Sequence, residues 1–239
     1  MLVKTEGIVL NNIKYSESSI IARIYTKEFG LLSFLIRGVR KRKSRFPASF
    51  FQPFSLLSLD ISYKQKSGLQ SVREISVAGH TPQLHSDIRK STIALFLTEM
   101  VYKSLQEEEQ DVQLFDFLKL SIEFLDSVEE SFENFHLIFL MQLTRFLGFA
   151  PDSNHQADYF NMASGSFVYE PTSGHVLDKT SSAIIKALTK ISYLERSRLN
   201  ISATDRRMLL ESIVEYYHLH LPGMSRISSL EVMEAVYGG

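Results

Sequence analysis

Cysteine is missing from all 239 residues. Its absence excludes disulfides, thiolate catalysis and any zinc site built on sulfur. Long apolar runs are missing too, and none approaches the roughly 20 residues that span a bilayer. The opening MLVKTEGIVL places Lys4 and Glu6 where a secretory leader needs an unbroken apolar stretch, which points to the cytoplasm and away from any membrane partner. The phosphate loop G-x-x-x-x-G-K-[ST], the dinucleotide loop G-x-G-x-x-G and the nucleophile elbow G-x-S-x-G do not occur, nor does H-E-x-x-H. No catalytic residue and no cofactor is assigned on this reading, and the chain is expected not to be an enzyme.

Net charge is nearly missing as well, at −1, but that total conceals two unlike parts. Residues 1–80 carry thirteen Lys and Arg against five acids, a balance of +8. Residues 81–239 carry thirteen against twenty-two, a balance of −9. Such a split predicts two domains with different partners, the first drawn to polyanions.

The first eighty residues read as strands. Stretches 6–15, 18–26, 31–39, 54–63 and 69–78 are short, rich in β-branched and aromatic residues, and partly alternating. Turn residues separate them at 29–30, 46–49 and 66–68. Five strands in this length suit an OB-fold barrel, and an SH3-like barrel nearly as well. From about residue 83 the apolar spacing becomes helical. Segment 131–147 is apolar nearly all round and is expected to be a central helix closing on Gly148. Ser202 and Asp205 form a capping-box pattern ahead of the last long helix. Between about 150 and 178 periodicity fails, although Tyr159, Phe160, Phe167, Val168 and Tyr169 predict an ordered excursion with a short hairpin. The expected architecture is therefore β followed by α: a barrel over 1–80, then an all-helical domain over 81–239 with an irregular insertion.

Residues 37–45, RGVRKRKSR, hold six cations: Arg37, Arg40, Lys41, Arg42, Lys43 and Arg45. A dense loop cluster of this kind neutralises phosphates and releases counterions, giving sequence-independent affinity for nucleic acid. Arginine outnumbers lysine four to two, which favours bidentate phosphate contacts. Gly38 lets the backbone approach a ligand. Phe46 and Phe50, beside the charge, are candidates for stacking on bases, whereas Phe51 and Phe54 around Pro53 are expected in the core. Lys14, Arg23, Lys64 and Lys66 are read as falling on strand ends and turns and are expected to extend the same groove. The competing reading is an adaptor whose basic loop meets an acidic protein; an RNA-binding barrel is a second rival. His155, Asp158 and His175 share the irregular segment and are the sole combination at all suggestive of a metal. The acids at 107–111 read as a solvated helix end.

EGIVL at 6–10, YSESSII at 15–21, IYTKEFG at 24–30, IRGVRKRKSR at 36–45 and FFQPFSLL at 50–57 resemble, in order, the bacterial recombination-repair mediator family RecO. FLTEMVYKSL at 96–105, NFHLIFLMQLTRFLGFAPD at 134–152 and HLHLPGMSRISSLEVM at 218–233 resemble its helical half. The resemblance implies an N-terminal OB-fold, binding of single- and double-stranded DNA, and annealing of complementary strands. It also implies action with RecR and the single-strand-binding protein in loading recombinase at the nucleoid. Many members of that family hold zinc with two C-x-x-C pairs after an LG(F/Y)-x-P motif. Here LGFAPD stands at 147–152 with no cysteine after it, so packing by the aromatics of 159–169 is expected in place of the metal. The resemblance further implies a site for the acidic, apolar C-terminal tail of the single-strand-binding protein, for which Lys119 and Arg145 are the candidate cations.

Overall fold

The structure is a computed structural model and describes residues 1–39, 43–65, 67–79, 81–105, 110–152, 156–171 and 174–237. Its contacts divide the chain into two compact units, Met1–Ser127 and Val128–Gly239.

The first unit is built on β1 (Leu2–Lys14), β2 (Ile20–Thr26), β3 (Gly30–Ile36), β4 (Leu56–Ser62) and β5 (Ser71–Val77). They form one antiparallel sheet in the order β3-β2-β1-β4-β5. At 13 residues, β1 is long enough to serve two neighbours. Its first half pairs with β4, from Leu2↔Ser62 to Ile8↔Leu56, and its second half runs along β2 from Gly7↔Thr26 to Lys14↔Ile20. The two ends of the sheet meet at a single parallel bridge, Phe34↔Gln70, where the Gln70 N–H donates to the Ser33 carbonyl at 2.8 Å. This is the OB-like arrangement expected from the sequence, but the sheet is not closed into a full barrel: one isolated bridge, and no ladder among the described residues, links its two ends. Gln70 also ties the seam to the turn before it. Its side chain is spent on the preceding turn, accepting from the Lys64 N–H at 2.9 Å and donating to the carbonyls of Lys64 and Ser67.

The partial alternation in sequence has a physical cause. On β2, Ile20, Ala22 and Ile24 point into the barrel, where Phe34, Leu59 and Ile61 meet them. Tyr25 points outward yet is also buried, because the helix α3 (Val112–Ser127) lies over it. Its ring faces Phe115 at 6.5 Å, and its hydroxyl accepts from the Asp111 N–H at 3.2 Å. Burial pushes this phenol up to about 12. Two ion pairs fasten the same helix, Lys27 to Asp116 at 2.8 Å and Lys119 to Glu6 at 2.7 Å. With α1 (Pro82–Ser86) and α2 (Ile88–Ser104), α3 completes the unit. Asp87 starts α2 by accepting from the N–H groups of Arg89 and Lys90.

Gly7 sits where β1 has a strand on both sides. A Cβ there would lie 2.5 Å from Ile24 Cγ2 and 2.9 Å from Leu59 Cδ1, both core atoms. Gly7→Ala is therefore expected to cost about 1–3 kcal/mol through overpacking. A urea melt checks this, and an unchanged midpoint shows that the barrel yields.

The second unit is centred on α4 (Phe135–Leu143), with α5 (Lys179–Leu188), α6 (Ala203–His220) and α7 (Leu230–Tyr237). Every residue of α4 from Phe135 to Met141 is buried, as its all-round apolar sequence requires. The helix ends five residues before Gly148, earlier than expected. Its backbone tightens to i→i−3 bonds at Arg145 and Phe146, the Thr144 hydroxyl takes the Met141 carbonyl, and Gly148 (φ +81°) turns the chain away. Ser202 caps α6 through the Asp205 N–H at 3.1 Å.

The irregular segment contains the expected hairpin, β6 (Tyr159–Asn161) against β7 (Ser166–Val168). Phe160 packs on Phe167 at 5.1 Å and on Tyr216 of α6 at 5.4 Å, while Phe149 stacks on His220 at 5.2 Å. Tyr159 is half-buried, and Tyr169 is exposed and takes no part. With no thiolate in the chain, the residues present do not fit a sulfur-ligated zinc, and aromatic packing on α6 holds this hairpin. Among the described residues no helix is long and apolar enough to cross a membrane.

Candidate nucleic-acid interface

β3 ends at Ile36, and Arg37 follows it exposed to solvent. Gly38, at φ +74°, then turns the chain through a left-handed conformation that a side chain resists. Arg40, Lys41, Arg42 and Lys66 lie outside the described residues. The chain returns with Lys43 exposed, and Ser44 makes a tight turn, its hydroxyl donating to the Phe46 carbonyl at 2.8 Å. Arg45 is exposed and pairs with Glu74 of β5, its guanidinium 5.2 Å from the centre of the Phe46 ring. An ion pair this open contributes about 0–1 kcal/mol, so a phosphate can displace the carboxylate.

The expectation that Phe46 stands free for base stacking is corrected. It is 9 % exposed and belongs to the barrel core, and Phe50 packs partly buried against that core. The apolar interior outbids the surface for both rings. Phe51 and Phe54 are buried as expected. A shallow depression of about 190 Å³ remains between Arg37, the edge of Phe46, Ser71 and Val72.

The other cations are brought together by the strand register. Lys14, Ile20 and Ile36 share one row across β1, β2 and β3, which places Lys14 at the end of the sheet from which Arg37 leaves. Three rows further in, Asn11, Arg23 and Ser33 are neighbours. Ser33 receives the Gln70 N–H, so the turn carrying Lys64 lies against β3. Oligonucleotide-binding barrels use the β2–β3 face together with the β1–β2 and β4–β5 loops. Arg23 and Arg37 lie on or beside that face, Lys14 enters the first loop, and Lys64 begins the second. Lys14, Arg23, Arg37, Lys43 and Lys64 have no acidic partner among the described residues. Gln70 was not legible beforehand, because its role depends on a bridge between strands far apart in sequence.

The two candidate partner-binding cations are otherwise engaged. Lys119 is held by Glu6, and Arg145, though exposed, donates to the Thr189 carbonyl just beyond the C-terminal end of α5. Within the second unit a groove of about 560 Å³ has an apolar floor at Ala183, Ile184, Leu199 and Ile201, with Lys179 and Arg198 on its rim. Those rim cations meet Asp158 at 2.7 Å and Glu195, both exposed pairs. Lys179 holds the Asp158 carboxyl below the usual range.

Of the three metal candidates, His155 lies outside the described residues, Asp158 pairs with Lys179, and His175 Nδ1 meets Glu215 at 2.6 Å. No group of three or more His, Cys, Asp or Glu converges among the described residues.

An OB-like sheet carrying cations that have no acidic partner among the described residues, followed by helices, makes a protein of the OB-plus-helical class. The family described as Recombination protein O, N terminal, matches residues 1–80, and its C-terminal counterpart matches residues 85–230. Curated relatives named DNA repair protein RecO align over the full length. Those from Azobacteroides pseudotrichonymphae and Phocaeicola vulgatus are 34 % and 36 % identical over 99 % of this chain and 100 % of theirs. The relative from Flavobacterium johnsoniae is 34 % identical over the same shares. The chain belongs to the RecO family, and DNA repair and recombination is its functional setting.

Proposed function

We propose that this chain is a non-catalytic DNA-binding mediator of recombination repair. It holds single- and double-stranded DNA on the OB-like unit, promotes annealing of complementary strands, and helps load recombinase onto protein-coated single strands together with RecR. The observation that carries the reading is the set of cations that have no acidic partner among the described residues and lie on the surface that oligonucleotide-binding barrels use. Neutralising the phosphates of two strands removes the repulsion that keeps them apart, which is all that annealing asks of a protein. The tail of the single-strand-binding protein is assigned to the groove of Ile184, Leu199 and Ile201, where apolar side chains find a floor and the terminal carboxylate can exchange into the exposed pairs of Lys179 and Arg198. The setting is the cytoplasm, at the nucleoid.

Titration of the full chain with labelled oligonucleotides across salt tests the reading. With roughly five phosphates held, log affinity for duplex falls against log salt with a slope near −4.5, and less steeply for single strands. The same protein should speed pairing of complementary strands. No binding at low salt, or binding indifferent to salt, rejects the proposal and favours the adaptor with an acidic protein partner.

A further inference from the structure

A cavity of about 310 Å³ lies in the first unit between β1 and α2. Two backbone irregularities flank it. The β1–β2 register shifts between Val9 and Asn11, and Phe54 adopts φ +61°, a left-handed conformation that a bulky residue resists. The ladder between β1 and β4 ends at Ile8↔Leu56, so the strand beyond Leu10 has β2 on one side and this cavity on the other. Strain held by the surrounding fold beside a cavity is a pointer to a binding site.

The lining is apolar with a polar edge. Leu10, Phe51, Pro53 and Leu95 form the walls. Asn12 is spent on the Phe51 carbonyl at 2.8 Å, Thr98 on the Ala94 carbonyl, and Glu99 and Lys103 meet each other at 2.6 Å. The side chains of Asn11 and Tyr102 line the cavity with no hydrogen-bond partner among the described residues. Arg23, the cross-strand neighbour of Asn11, holds its guanidinium 5.4 Å from the centre of the Tyr102 ring.

A ligand matching these features is planar, apolar on its faces, able to hydrogen-bond along its edge, and attached to an anion. An aliphatic peptide side chain would leave the Asn11 amide and Tyr102 hydroxyl unpaired as it covered them, at a cost. We propose that the cavity receives one unstacked nucleobase of a bound single strand, its edge met by Asn11 and Tyr102 and its phosphate by Arg23. The inference rests on the DNA-binding reading above. It adds a preference for single strands, because a base in duplex cannot enter without leaving its stack.

The test uses the full chain and single-stranded oligonucleotides carrying one 2-aminopurine. Bound to the wild-type protein, the probe becomes shielded from acrylamide quenching. Asn11→Ala removes an edge contact, and Leu95→Trp fills the mouth from a position already 40 % exposed, so at least the second is expected to fold normally. Each lowers single-strand affinity by ~10-fold, restores quenching, and leaves duplex affinity and its salt slope unchanged. If single-strand affinity and acrylamide access match wild type in both variants, or if the probe is never shielded, the base site is rejected. The DNA reading then still stands, provided that reversing the charge of the 37–45 loop abolishes binding. If wild-type protein binds no oligonucleotide, the DNA reading fails and takes the base site with it.

Discussion

Replacing Arg37, Arg40, Arg42 and Lys43 together by glutamate lowers oligonucleotide affinity at ~0.1 M salt by on the order of 10³-fold. Each lost phosphate contact takes about one from the salt slope, so the variant's dependence is flatter than the wild type's, with the cations outside the loop keeping a residual slope. The loss should be uniform across sequences, since contacts of this kind read charge and not bases. Arg37 and Lys43 are exposed and have no acidic partner among the described residues, so folding stability should change little. Arg45 is best left in place, since it pairs with Glu74 and lies over Phe46, and changing it mixes packing with binding. Anisotropy titrations at several salt concentrations decide the matter. Wild-type affinity in the fourfold variant would falsify the assignment of this loop.

The second large effect concerns His136, inside α4 and closed off from solvent. Neither ring nitrogen has a partner in good hydrogen-bond geometry among the described residues; Tyr237 stands 6.0 Å from the ring. Burial first, then the nearby charge of Arg206, lowers its pKa from 6.5 to about 3 against the opposing pull of the Glu133 backbone. A folded-state value below the unfolded one means that the unfolded chain binds the proton more readily. Stability is therefore complete above pH 6.5 and is lost as pH falls from there towards 3. By pH 5 the loss is about 2 kcal/mol, a figure that holds for any folded value well below 5. His85 is lowered by burial too and adds with the same sign. In His136→Phe the ring shape stays and the proton site goes. The variant should match wild type within ~1 kcal/mol at pH 8, since removing polar atoms that lack partners costs little. It should then keep about 2 kcal/mol more than wild type at pH 5. Urea melts at both values check this, and equal losses in the two proteins rule out His136 as the source.

Five strands, a change to helical spacing after residue 80 and an all-round apolar α4 were legible because burial imposes a period on the chain. The cations of 37–45 were legible because charge density is a property of neighbours in sequence. Phe46 was misjudged for the converse reason. It is adjacent to the charge along the chain, yet its ring turns inward while Arg45 stays out. The partners of Lys119 and Arg145 were not legible, because Glu6 and the Thr189 carbonyl lie 113 and 44 residues away from them.

Composition and order alone determined a cysteine-free chain with a basic, strand-rich front and an acidic, helical remainder, since local propensity and charge need no knowledge of distant contacts. The tertiary structure decided which residues share a surface. It set Arg23 beside Tyr102, pinned the Lys64 turn to β3 through Gln70, and left a cavity where β1 outruns β4. Register and bridge geometry make those pairings between residues tens of positions apart, and no local pattern encodes them.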